Sequence, residues 1–167
     1  HYGTFSIDTA GHWTYSANNG NAAIQGLKQG ATLTDTLTVS SADGASQTIT
    51  VNIVGTNDVP TLTAQSHGVT EDGAKLTGQM VATDLDTGDT QTFSAQNPPA
   101  GLTLNLDGSY TFDPSDAAYQ HLGAGQNETL PIPVTVTDSA GATSTQNLTI
   151  TVTGSNDTAV VSGRVAN

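Results

Sequence analysis

The stretch "TITVNIVGTND", residues 48–58, has the pattern of a β-strand that ends in a short polar segment. Aliphatic residues alternate with Thr and Asn, which predicts a strand with one apolar face. Nearly the same phrase returns as "NLTITVTGSND", residues 147–157. The glycines of the shared ending, Gly55 and Gly154, are 99 positions apart. The chain therefore contains an internal repeat of roughly a hundred residues.

The similarity between the two copies extends well before this strand. "GTFSIDTAGHWTYSAN" (3–18) resembles "GLTLNLDGSYTFDPSD" (101–116), and "NAAIQGLKQG" (21–30) resembles "DAAYQHLGAG" (116–125). We expect a truncated first repeat at 1–58, a complete second repeat at 59–157 and the start of a third at 158–167. The first copy lacks about 40 residues relative to the second, so we expect the chain to be a fragment.

Composition and turn spacing predict an all-β fold. The chain has 29 Thr and 18 Gly, residues that favour strands and turns respectively. Strands separated by turn signals at intervals of about ten residues are typical of a β-sandwich, and the internal repeat predicts such sandwiches in tandem. The complete copy predicts seven strands, at 61–70, 75–83, 90–96, 102–106, 109–113, 132–137 and 146–153. The predicted core consists of Leu62, Val69, Leu76, Met80, Phe93, Leu102, Leu104, Leu106, Tyr110, Phe112, Leu122, Val134, Val136, Leu148, Ile150 and Val152.

The charge balance limits the function classes. With 15 acidic and 3 basic residues the formal net charge is -12, which argues against nucleic acid as a partner because neutralising phosphates requires Lys and Arg. No apolar run approaches the length needed to span a bilayer, so we expect no membrane insertion. The chain has no Cys, which excludes disulfides and thiolate metal sites.

The acidic residues are expected to gather where repeats join. In an antiparallel path, several loops of the complete copy reach the pole that follows the Asn57-Asp58 linker. The acids of these loops are Asp84, Asp86, Asp89, Asp107 and Asp138. The first copy adds Asp35, and the last strand carries Asn156 and Asp157 to the opposite pole. Ca²⁺ explains such crowding, because it takes six to eight oxygen ligands from carboxylates and carbonyls. The alternative is that these residues are ordinary turn formers.

Several stretches resemble the VCBS repeat, a cadherin-like module of large bacterial surface proteins and RTX-type adhesins. The first copy carries the resemblance in "GTFSIDTAGHWTYSANN", "LTDTLTVSSADG" and "VNIVGTND", and the chain's last residues carry it in "AVVSG". The second copy resembles the broader bacterial cadherin-like class through "VTEDG", "VATDLDTGD" and "PPAGLTL". The resemblance implies an all-β fold of tandem immunoglobulin/cadherin-like Greek-key β-sandwiches. It also implies an extender repeat of a secreted cell-surface adhesin that supports adhesion and biofilm formation, with neighbouring repeats as partners.

The resemblance also implies that calcium stiffens the joints between repeats. The ligands that it carries over are Glu71, Asp84 and Asp86 with the linker residues Asn57, Asp58, Asn156 and Asp157.

Two other functions remain open. A module that binds carbohydrate or a protein ligand would present exposed aromatic residues, and an exposed Trp13 would favour that reading. We expect no enzymatic activity, because the four His are scattered and no catalytic motif of the H-E-x-x-H or G-x-S-x-G type is present. The truncated first repeat also predicts weak self-association, in which "TAVVSGRV" (158–165) of another molecule covers its open strands.

Overall fold

The structure is a computed structural model, and it describes residues 1–158 of the chain. The predicted start of a third repeat, 158–167, lies outside the described residues except for Thr158. The described strands are β1 (Gly3–Ile7), β2 (Trp13–Ala17), β3 (Thr32–Ser40), β4 (Ser46–Val54), β5 (Thr61–Leu62), β6 (Gln65–Thr70), β7 (Leu76–Gln79), β8 (Ala82–Thr83), β9 (Thr92–Ala95), β10 (Leu102–Leu104), β11 (Ser109–Phe112), β12 (Asn127–Thr137) and β13 (Thr143–Thr153). The short helix α1 spans Ala22–Gln25.

The chain divides into two compact units. The first contains His1–Thr61 together with the loops Thr83–Gln91 and Thr137–Thr143. The second contains Leu62–Ala82, Thr92–Val136 and the described residues from Ser144 to Thr158. Among the described residues, no helix is long and apolar enough to cross a bilayer.

The second unit is a β-sandwich. One sheet has the order β10-β11-β7 and the other β6-β13-β12-β9. Strand β6 runs parallel to β13, with Leu148 opposite Gln65 and Thr153 opposite Thr70. The inward-facing residues form one apolar core, since alternate side chains of a strand point to the same face. The fully buried members are Leu62, Met80, Phe93, Leu102, Tyr110, Phe112, Tyr119, Leu122, Ile132, Val134, Val136, Leu148, Ile150 and Val152.

The predicted core is confirmed with one exception. Val69, Leu76 and Leu104 are partly buried against it. Leu106, however, is 71% exposed, so its assignment to the core was wrong. The reason is that β10 ends at Leu104 and the backbone turns at once, with the amide of Asn105 donating to the carbonyl of Ser109.

Two members of the buried apolar core, Ile132 and Tyr119, were absent from the predicted core. Ile132 continues the alternation of β12. Tyr119 packs its ring against Phe112 at a centroid distance of 5.4 Å and donates its hydroxyl proton to the carbonyl of Ala100 at 2.7 Å. A loop residue such as Tyr119 gives no periodic signal of burial.

The first two predicted strands of this repeat are each divided. The predicted strand 61–70 is split into β5 and β6, and the predicted strand 75–83 into β7 and β8. Strand β5 pairs with β8, whereas β6 belongs to the four-stranded sheet and β7 to the three-stranded sheet. A continuous period-two pattern cannot reveal such an exchange of partner sheets.

The first unit contains two separate hairpins, β1–β2 and β3–β4. Phe5 and Tyr15 pack across the first hairpin in a tilted arrangement, with ring centroids 4.7 Å apart. Ile7 and Trp13 are 48% and 47% exposed, and Val54 is 61% exposed. These hairpins therefore leave much of their apolar surface in contact with solvent.

The two copies share the connection that precedes Asn-Asp. In the first, Gly55 donates its amide to Ala31 at 2.8 Å, and its carbonyl accepts from Gly30 at 3.1 Å. In the second, Gly154 donates to Gln126 at 2.7 Å, and its carbonyl accepts from Gly125 at 3.0 Å. The internal repeat is thus present in the hydrogen bonding as well as in the sequence.

Candidate metal centre

An acidic cluster lies within the first unit, built by the loops Thr83–Gln91 and Thr137–Thr143. Asp84, Asp89 and Asp138 each place one carboxylate oxygen within 4.8 Å of the other two. Asp84 turns its loop, because its Oδ1 accepts from the amide of Asp86 at 2.9 Å. This Asp-x-Asp turn places the carboxylate of Asp86 against the linker.

The linker Asn57-Asp58 is hydrogen-bonded to both loops. The amide of Asp58 donates to Oδ2 of Asp86 at 3.0 Å. The side-chain amide of Asn57 donates to Oδ2 of Asp138 at 2.8 Å. The same side-chain amide of Asn57 also donates to the carbonyl of Asp58 at 2.9 Å. The repeat-ending Asn-Asp therefore orients two acidic side chains and holds itself against them.

Several carboxylates of the two acidic loops are buried and therefore need a partner for their negative charge. Asp86 is 3% exposed and Asp138 6% exposed. Oδ1 of Asp86 and Oδ2 of Asp84 are buried, and neither has a hydrogen-bond partner among the described residues. A buried charged oxygen without a partner is costly, so this arrangement favours a cation.

Local hydrogen bonds keep two of the acids ionised. The side-chain amide of Asn57 holds the pKa of Asp138 below its ordinary value. The hydroxyl of Ser139 likewise lowers the pKa of Asp89, whose Oδ2 also accepts from the Ser139 amide at 3.3 Å. Ser139 was not among the predicted site residues, because one Ser in a Thr- and Ser-rich chain carries no distinct signal.

A cavity of about 240 Å³ lies beside the cluster and is lined by Lys28, Gln29, Asn57, Asp86, Asp89, Ser139 and Ala140. Its walls offer carboxylate, amide and hydroxyl oxygens. These are the hard ligands that Ca²⁺ selects. The residues present therefore fit a calcium ion on both chemistry and unsatisfied charge.

Glu71 occupies a comparable position in the second unit. It is 2% exposed, and its Oε2 accepts from the amide of Ser155 at 3.0 Å. Its Oε1 is buried without a hydrogen-bond partner among the described residues. Asn156 and Asp157 follow directly and are exposed. Glu71 is therefore the buried acid beside the second Asn-Asp.

Asp35 lies in a different set of contacts. It is 4% exposed in the middle of β3. Its carboxylate accepts from the amide of Tyr2 at 2.7 Å and the hydroxyl of Tyr15 at 3.0 Å, and it lies 2.7 Å from Nδ1 of His1. These partners already satisfy both oxygens, and the structure does not bring Asp35 into the cluster of three.

Asp107 also lies outside the cluster. It belongs to the second unit, and its Oδ1 accepts from the amide of Ser109 at 2.9 Å and from the hydroxyl at 2.6 Å. It therefore acts as a turn residue, which is the alternative reading of these acids.

Comparison with known proteins gives the class. The described chain combines a β-sandwich with buried acids close to its two Asn-Asp segments. The bacterial cadherin-like domain family matches residues 57–154, and the chain belongs to that family. No curated protein matches the chain.

Solved cadherin structures share the fold at low identity. "Protocadherin Gamma B7 extracellular cadherin domains 1-4" is 18% identical with a TM-score of 0.57, over 94% of this chain and 40% of that one. "Human Mucin-like Protocadherin EC1-2" is 18% identical with a TM-score of 0.56, over 92% and 81%. "PcdhgB3 EC1-4" is 13% identical with a TM-score of 0.51, over 92% and 38%. This chain thus spans about two fifths of the length of the PcdhgB3 and Protocadherin Gamma B7 structures.

Proposed function

We propose that the chain is an extender module of a secreted bacterial cell-surface adhesin, in which Ca²⁺ stiffens a tandem array of repeats. Membership in the bacterial cadherin-like family supports an extracellular, adhesion-related and non-enzymatic role. The VCBS-like stretches favour an RTX-type adhesin that supports biofilm formation, with neighbouring repeats as its partners.

One observation carries the calcium part of this proposal. Asp86 is 3% exposed, and its Oδ1 has no hydrogen-bond partner within the part of the chain that the structure describes. Three other carboxylates, those of Asp84, Asp89 and Asp138, form the neighbouring cluster. A buried carboxylate oxygen without a partner costs free energy, and a bound cation would remove that cost. The ion would be held by Asp84, Asp86, Asp89 and Asp138, with oxygens of Asn57 and Asp58.

A second, weaker site is proposed at Glu71, with Asn156 and Asp157 as partners. Its buried Oε1 has the same unsatisfied character. Asp35 is proposed as a further calcium ligand from the first repeat. To bind an ion, its carboxylate would have to give up its hydrogen bonds with Tyr2 and Tyr15. An ion at the first site would tie the linker to both acidic loops, and so reduce bending.

The experiment is a thermal unfolding comparison. Ca²⁺ that binds only the folded state raises the free energy of unfolding by RT ln(1 + [L]/Kd). With an extracellular-type Kd on the order of 10⁻⁴ to 10⁻³ M, 10 mM Ca²⁺ gives roughly 1.5–3 kcal/mol over EDTA. NaCl of equal ionic strength is the control for screening. Identical melting curves in EDTA and calcium would contradict the proposal.

A second candidate function is supported by Trp13. Its side chain is 47% exposed, near the similarly exposed Ile7 opposite it in the β1–β2 register. Exposed aromatic side chains are a common means of binding carbohydrate or protein ligands. Quenching or a shift of the fluorescence of this single Trp on adding an oligosaccharide would support this function.

A further inference from the structure

Lys28 supplies a positive charge to the acidic cluster from within the chain. It follows α1, and its Nζ donates to the carbonyl of Gly88 at 2.6 Å. The same Nζ lies 3.7 Å from Oδ1 of Asp89, a carboxylate whose side chain is 2% exposed. Lys28 also lines the cavity beside the cluster. The ammonium group thus lies where a cation would lie.

The fold does not require a lysine at this position. In the aligned repeats "NAAIQGLKQG" and "DAAYQHLGAG", Lys28 corresponds to Gly123. Both copies nevertheless make the same backbone hydrogen bonds to Gly55 or Gly154. Since the loop forms equally well with Gly, the side chain of Lys28 is available for another role.

Basic residues are rare in this chain, so the position of Lys28 beside the acidic cluster is notable. The whole chain has only 3 basic residues against 15 acidic ones. Lys75, the other lysine, pairs with Asp113 at 2.8 Å in the second unit. Over residues 1–158, the carboxylate oxygens of the cluster without a hydrogen-bond partner belong to Asp84 and Asp86, whereas Asp89 is engaged by Lys28 and Ser139. The negative charge of the cluster is therefore compensated on the Asp89 side and uncompensated on the Asp84 and Asp86 side.

We infer that Lys28 is a built-in cation that occupies the Asp89 side of the cluster and sets how strongly the Asp84 and Asp86 side binds Ca²⁺. This inference rests on the calcium function proposed above. A fixed positive charge a few ångströms from a divalent ion weakens its binding by Coulomb repulsion. The same charge partly compensates the acids when calcium is low, so the module depends less on the ion.

The test compares Lys28→Met with the parent chain by calorimetric titration with CaCl₂ alone. Met keeps the length of the side chain and removes the charge. We expect calcium to bind Lys28→Met roughly five- to twentyfold more tightly than the parent. Lys28→Arg keeps the charge and should bind as the parent does. Lys75→Met, which removes the same charge in the second unit, is the control for net charge.

Thermal unfolding gives a second readout. The rise in melting temperature from EDTA to 10 mM Ca²⁺ should be larger for Lys28→Met than for the parent, and unchanged for Lys75→Met. Equal affinities for Lys28→Met and the parent would overturn the inference, and so would weaker binding by Lys28→Met.

The parent alone tests the calcium function. Binding by Lys28→Met but not by the parent would support the inference and contradict the calcium function. Absence of binding in every variant would overturn both.

Discussion

Gly55 donates its backbone amide to the carbonyl of Ala31 at 2.8 Å. The loop that follows α1 is thereby held against the end of β4. A Cβ on Gly55 would overlap the carbonyl oxygens of Leu27 and Lys28, and a Cβ on Gly154 would overlap those of Leu122 and Gly123. The Gly of Gly-x-Asn-Asp is therefore required by a close approach of two backbones, and it fixes the point from which Asn-Asp leaves the strand.

Replacing Gly154 by Ala should destabilise the second unit by about 1–3 kcal/mol, the usual cost of overpacking. The clash is with backbone, which cannot rotate away. The same change at Gly55 should loosen the loop that carries Lys28. Chemical denaturation of each variant measures the effect.

The matched control is Gly68→Ala in β6, where a Cβ would meet nothing within 4 Å. It should change stability by less than about 0.5 kcal/mol. A Gly154→Ala variant as stable as Gly68→Ala would show that the close approach is easily relieved.

Replacing Asp84 and Asp86 together by Ala should abolish calcium binding at the cluster and leave the sandwich folded. Both residues lie in the loop Thr83–Gln91, outside the apolar core. Calcium titration measures the number of ions bound, and circular dichroism measures the fold. Asp107→Ala, which removes an acid engaged only in its own turn, is the control. If the double variant kept every ion of the parent, the ligand assignment would be wrong.

The ion pair between Lys75 and Asp113 should make stability depend on pH. The hydrogen bond from Lys75, together with those from the hydroxyl and the amide of Ser115, lowers the pKa of Asp113 from 3.8 to about 2. A depressed pKa means that the stabilisation is present above the unfolded value and is lost as pH falls toward 2. Melting temperatures of the parent and Asp113→Asn should therefore differ at neutral pH and converge in that acidic window. Asp116→Asn, in the same loop, is the control. Equal melting temperatures of the parent and Asp113→Asn at neutral pH would show that the Lys75–Asp113 pair does not contribute to stability.

The features that could be predicted from the sequence are those that depend on strand periodicity and on the internal repeat. The β-sandwich and nearly all of its core follow from alternating strands, and the acids at Asp84, Asp89 and Asp138 follow from the antiparallel path. Tyr119 and Leu106 were misjudged because burial in a loop depends on tertiary packing. The contact of Lys28 with Asp89 was not predicted, because it joins residues 61 positions apart through a side chain that repeats do not share.

Self-association is predicted from the exposed surface of the first unit. Its β3–β4 hairpin is a two-stranded sheet, and none of the buried large hydrophobic residues in the described chain belongs to this unit. Open strand edges beside half-exposed apolar residues favour pairing with another chain. The segment 158–165, of which only Thr158 belongs to the described residues, is apolar enough by sequence to act as a strand that a second molecule supplies.

Light scattering over a concentration series tests whether molecules associate by exchanging the segment 158–165 or remain monomers. We expect the full chain to show a mass above that of a monomer as concentration rises. A version ending at Asp157 lacks the donor segment and should remain monomeric. Trp13→Ser removes an exposed apolar side chain but keeps the donor segment, and it should weaken association without abolishing it. Monomeric masses for both the full and the shortened chain would refute strand exchange, whereas equal association of the two would place the contact elsewhere on the exposed hairpins.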